Sequence, residues 1–112
     1  MTKEIFPEMI KNLPEADIPF KGVKGWISQS NDHQIVFMEI EAIGDVAEHS
    51  HGAQWGIVVD GEMDLTIGGV TKKYTNGDYY YIGDGILHGA SFHKKTYVID
   101  YFADKERYKT RK

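Results

Sequence analysis

From residue 22 onward, apolar and polar positions alternate in short runs punctuated by glycine, asparagine and aspartate. GVKGWISQS (22–30) stops at Asn31-Asp32, and HQIVFMEIEAI (33–43) follows, with Ile35 and Phe37 spaced two apart as a buried strand requires. Gly44-Asp45 breaks the pattern. WGIVVDGEMDLTI (55–67) resumes it as a strand that bends at Asp60-Gly61. Gly68-Gly69 supplies a two-residue hairpin turn into VTKKY (70–74), and Asn76-Gly77-Asp78 the next turn. YYYI (79–82), HGASFH (88–93) and TYVIDYF (96–102) complete the series. No helix of ordinary length is predicted, and turns recur about every 8–12 residues, the spacing of a sandwich or barrel. Residues 1–20 hold all three prolines and read as an extended arm with one helical turn near Met9–Asn12. The predicted organisation is an arm (1–20), an all-β barrel (21–103) and a basic tail (104–112).

Composition narrows the chemistry more than the fold. A chain of 112 residues with 41% hydrophobic content builds one domain around one small core. It has no cysteine, so a metal site must draw on histidine, carboxylate or amide. The net charge of −4 argues against a nucleic-acid surface. The opening residues lack a basic, then apolar, leader, and no apolar run reaches membrane-spanning length, so a cytoplasmic protein without a membrane partner is expected. Five of the last eight residues are basic, which is expected to be a solvated terminus offsetting an acidic body.

The candidate chemistry lies in EHSHGAQ (48–54) and GDGILHG (83–89). Side chains two apart in a strand share a face, so His49 and His51 are expected to project together. Gln54 follows across Gly52-Ala53, and a glycine-rich corner delivers His88. Three neutral imidazoles and an amide oxygen suit Fe, Mn, Ni, Cu or Zn as divalent ions. The competing reading of any H-x-H in a β-rich chain is a pair of partly exposed histidines. His33 and His93 are expected at the surface or behind the ligands. Trp55 should point away from Gln54 toward a sheet-packing or dimer surface, while Gly56 should leave space near the metal. Tyr79–Tyr81 must alternate faces, and Trp26, Phe37 and Met38 belong to core or cavity. The lining is expected to be apolar, with no arginine aimed at an anionic substrate.

These motifs resemble those of the cupin family. The first cupin motif, G-x5-H-x-H-x3/4-E-x6-G, is matched by Gly44, His49, His51, Gln54 and Gly61. The second, G-x5-P-x-G-x2-H-x3-N, is matched by Gly77, Gly83 at the proline position, Gly85 and His88, with Phe92 at the closing asparagine. Fifteen residues lie between the motifs, as in small single-domain members. Two intervals in the first motif are one residue short, and the usual glutamate is Gln54, which leaves the site one negative charge poorer. The resemblance implies a double-stranded β-helix, or jelly-roll barrel, and a divalent transition metal on His49, His51, His88 and Gln54. It also implies a homodimer, with the arm available to cross to the partner. The function it implies is a metal-dependent, dioxygenase-like enzyme of a small molecule; a small-ligand binding or sensor module without turnover is the alternative.

Overall fold

The computed structural model describes residues 4–111. Two antiparallel sheets form a jelly-roll barrel, with β1 (Val23–Gln29), β2 (Gln34–Ile40), β3 (Gly44–His49), β4 (Gln54–Asp60), β5 (Glu62–Ile67), β6 (Val70–Thr75), β7 (Tyr79–Ile82), β8 (His88–Phe92) and β9 (Thr96–Phe102). The five-stranded sheet runs β1-β2-β9-β4-β7 and the four-stranded sheet β3-β8-β5-β6. Helix α1 (Glu8–Lys11) is the single turn expected in the arm. Among the described residues no helix is long and apolar enough to cross a membrane.

The predicted long strand 55–67 is two strands in two different sheets. The bend at Gly61 is where the chain changes layer. Gly61 has φ +112°, and a Cβ there would lie 2.7 Å from the Lys95 carbonyl oxygen, so a side chain is excluded twice over. The Gly68-Gly69 turn appears as expected, with both residues at positive φ. β3, by contrast, begins where the sequence pattern read a break. It is an edge strand in which no residue is fully buried and the alternation breaks after Ala47, so burial marks it only weakly; pairing with β8 defines it.

Inward residues of both sheets build the core, including Val36, Met38 and Ile40 of β2, Val58 of β4, Leu65 of β5 and Val98 and Phe102 of β9. Met38 faces this interior. Trp26 and Phe37 point the other way, into a second cluster on the outer face of the five-stranded sheet. There Phe6 of the arm, 3% exposed, meets Trp26, Phe37 and Tyr97 edge-on, with ring centroids 5.7–6.3 Å apart. The arm thus lies on its own sheet.

The tail also folds back. Gln34 donates to the Tyr108 carbonyl at 2.8 Å and accepts from the Tyr108 N–H at 3.0 Å. The Asp104 carboxylate accepts from the Gly52 N–H at 2.8 Å, Thr110 bridges to Ala16, and Arg111 donates to the Ile18 carbonyl at 3.1 Å. Its polar composition reads as solvated; its backbone and aromatic contacts are what hold it across one end of the barrel.

Replacing Phe6 by alanine is expected to lower unfolding stability by about 3 kcal/mol, because a buried aromatic is lost with its three ring contacts. Met9→Ala, at a 78% exposed position, should change it by less than about 0.5 kcal/mol. Equal effects of the two in urea titrations would show that the arm contributes no packing.

Candidate metal centre

His49 closes β3, His88 opens β8 and stands directly opposite it in the ladder, and His51 sits in the loop between β3 and β4. The convergence expected from strand alternation is therefore reached another way. The chain leaves the strand after His49, and the loop brings His51 round to the other two. Potential ligand atoms of the three rings lie within 4.8 Å of one another.

The three rings share one anchoring device. His49 Nδ1 lies 3.0 Å from the Ala47 carbonyl, His51 Nδ1 2.7 Å from that of Gly52, and His88 Nδ1 2.9 Å from that of Ile86. A carbonyl only accepts, so each Nδ1 carries the proton and each neutral ring keeps its lone pair on Nε2. Nε2 of His51 and His88 are 3.1 Å apart. Two lone pairs at that distance repel unless a cation or proton lies between them. Ligands about 2.1 Å from one ion stand roughly 3.0–3.4 Å apart at ordinary coordination angles. The donor set fits a metal. Burial, then the charge of Arg107 and neighbouring histidines, lowers the His51 pKa. Burial, His49 and Arg107 do the same to His88. Both shifts favour the neutral, ligating form.

Gln54 opens β4 with its side chain turned inward into the same cavity, and among the described residues its Oε1 is buried without a hydrogen-bond partner. Its amide lies diagonally across the β4–β9 ladder from Asp100 and helps to lower the pKa of that carboxyl group, which accepts from the Tyr80 hydroxyl at 2.6 Å. The space expected at Gly56 is filled by these two residues. Gly56 lies between Tyr80 and Asp100 in the ladder, and a Cβ on it would collide with Asp100 Oδ1 and the Tyr80 ring and hydroxyl.

Trp55 faces outward and stacks on Tyr79 as expected, with Tyr80 turned in and Tyr79 and Tyr81 out. His93 is largely exposed beside Ser91, and His33 stacks on Tyr101 at the surface.

The expectation of a lining without arginine is overturned. Arg107 of the tail enters the cavity wall with its guanidinium carbon 4.4 Å from the Tyr108 ring centroid and 5.6 Å from that of Phe102. Among the described residues its Nε is buried without a hydrogen-bond partner. Asp100, on the inward face of β9, was not singled out in the sequence either. Its alternation with Val98 and Phe102 in TYVIDYF was the available signal, a carboxylate at a position that must face the core. The cavity itself offers about 120 Å³, several times the roughly 10–15 Å³ one water needs.

The fold and this site belong to a cupin: residues 36–99 match the Cupin domain family, and the chain is a member of it. It is 34% identical over 71 residues to H2HPP isomerase of Bacillus subtilis, a match covering 62% of this chain and 30% of that protein. The chain therefore spans about a third of that relative. An RmlC-like cupin from Shewanella frigidimarina superposes with TM-score 0.73 at 25% identity, covering 82% of this chain and 84% of the other. KdgF from Halomonas sp. superposes with TM-score 0.69 at 23% identity over 78% and 84%.

Burial raises the Asp100 pKa from 3.8 to about 6, against the lowering effect of its bond from Tyr80, of the neighbouring Gln54 amide and of Arg107. A raised carboxyl pKa favours the fold below 3.8, and the advantage is lost as pH rises through about 6. Asp100→Asn should therefore stabilise the metal-free protein at pH 8 by up to about 3 kcal/mol and change it little near pH 3.5. The lowered His51 and His88 values act in the opposite sense: their contribution is intact above 6.5 and is lost as pH falls below it, in both proteins alike. Denaturant titrations of the two proteins across pH test this, and an equal difference at both ends would contradict it.

Proposed function

We propose that the chain is a metal-dependent enzyme acting on a small carboxylate, with one divalent transition ion (Fe, Mn, Ni, Cu or Zn) held by His49, His51, His88 and Gln54. Arg107 carries the substrate assignment: among the described residues its Nε is a buried donor without a partner, in the cavity that the three histidines also line. A bound metal supplies Lewis-acid polarisation of a substrate oxygen. Arg107 binds and orients the carboxylate, and its stacking on Tyr108 and Phe102 holds the guanidinium plane in place. Met38, Val98 and Phe102 exclude water around it.

A carboxylate anchored beside a metal suits isomerisation by proton transfer, and the likeness to H2HPP isomerase supports that reaction class. The O2-dependent reading rests on the histidine set alone, and a binding module without turnover needs neither reaction. Untagged protein is expected to retain about one metal per chain and His51→Ala almost none. In the metal-loaded protein, pyruvate should bind more tightly than its methyl ester. Arg107→Gln should weaken pyruvate about 10- to 100-fold, the loss of one charge-assisted hydrogen bond, with metal content unchanged. Equal binding of acid and ester by calorimetry would overturn the carboxylate assignment. Oxygen uptake with a catechol or diketone would favour the dioxygenase reading instead.

The same proposal includes a homodimer. Beside the part of the five-stranded sheet that the arm covers, Trp55, Tyr79, Tyr81 and Tyr101 remain exposed on its outer face. Trp55→Glu is expected to halve the mass seen by light scattering; a wild-type monomer would remove the dimer.

A further inference from the structure

Gln54 stands where the metal site needs an oxygen, yet an amide presents either an oxygen or an NH2 group, and only the oxygen ligates. Nothing in glutamine itself selects between them. Asp100 does. It lies diagonally across the β4–β9 ladder from Gln54 on the same inward face, its Oδ1 accepts from the Tyr80 hydroxyl, and its carboxyl group draws toward it the NH2 end of the amide, the only end that can donate. The amide oxygen is then left buried without a partner in the cavity.

Resting on the metal-binding reading above, we infer that Asp100 is a positioning residue, which together with Tyr80 holds the Gln54 amide with its oxygen toward the metal. Gly56 is part of the same device. It lies between Asp100 and Tyr80 in the ladder, and any Cβ would push apart the pair whose contact holds the amide. A purely packing role for Asp100 would not leave the oxygen of its neighbour as the unsatisfied atom, since a buried acceptor without a partner costs about 1–3 kcal/mol. A cation at the three histidines removes that cost.

The test is Co2+ affinity at pH 8, by competition with a chromogenic chelator, in wild type, Gln54→Ala, Asp100→Ala and the double variant. Both single variants are expected to bind about 10- to 100-fold more weakly, the usual effect of losing a partner that orients a ligand. The double variant should be no weaker than Gln54→Ala alone, because Asp100 acts only through Gln54. The visible spectrum of bound Co2+ should change alike in both singles. Asp100→Leu, of similar size and without an acceptor, gives the same comparison if the alanine protein does not fold. Wild-type affinity and spectrum in the Asp100 variants, or losses that multiply in the double variant, would overturn the inference. His51→Ala separates the two levels. Co2+ retained there overturns the metal site itself, whereas Co2+ lost there with Asp100 variants unaffected overturns only the positioning role.

Discussion

Three hydrogen bonds from histidine Nδ1–H groups to backbone carbonyls are the interaction on which the rest of the site depends. Each fixes a tautomer and a ring direction at once. Because the acceptors are the carbonyls of Ala47, Gly52 and Ile86, within two residues of the ring they hold, the backbone path of two loops and one strand end sets where three lone pairs meet. The barrel supplies the remaining condition by placing the end of β3 opposite the start of β8. The result is a concentration of electron pairs in a partly dry space, which a cation relieves and which protons relieve only at the cost of burying charge.

Below the histidines the interior departs from an apolar core in an ordered way. Gln54, Asp100 and Tyr80 form one polar cluster across β4, β9 and β7, with the Tyr80 hydroxyl bonded to Asp100, and Gly56 leaves the room for it. Among the described residues the Gln54 amide oxygen is buried there without a hydrogen-bond partner. Burial of the Asp100 carboxyl group in this small barrel costs stability, as its raised pKa records.

Both terminal segments belong to the architecture. The arm completes an outer hydrophobic layer through Phe6, and the tail crosses the barrel end through Asp104, Tyr108 and Arg111. The Asp104 contact with the Gly52 N–H ties the tail to the loop that carries His51, so one segment both braces a histidine and brings Arg107 into the wall. This pairing gives the cavity a cationic side that faces the same space as the neutral imidazoles.

The sequence by itself determined most of the strands, because burial on one face imposes a period of two, and most turns, because glycine and asparagine tolerate backbone that other residues avoid. It also singled out His49, His51, His88 and Gln54, since two motifs with fixed internal spacing are local patterns. β3 escaped because an edge strand with no fully buried residue carries too short an alternation, and the change of sheet at Gly61 escaped because a layer switch and a bend read alike along the chain. Only the tertiary structure decided that His51 reaches the site through a loop, that Gly56 is filled by Asp100 and Tyr80, and that Arg107 lines the cavity. Those facts depend on residues 24 to 56 positions apart coming together, such as Tyr80 beside Gly56 and Arg107 in one cavity wall with His51. No local period encodes them: the pairing of β7 and β9 on either side of β4, and the tail's return across the barrel end, put these residues together.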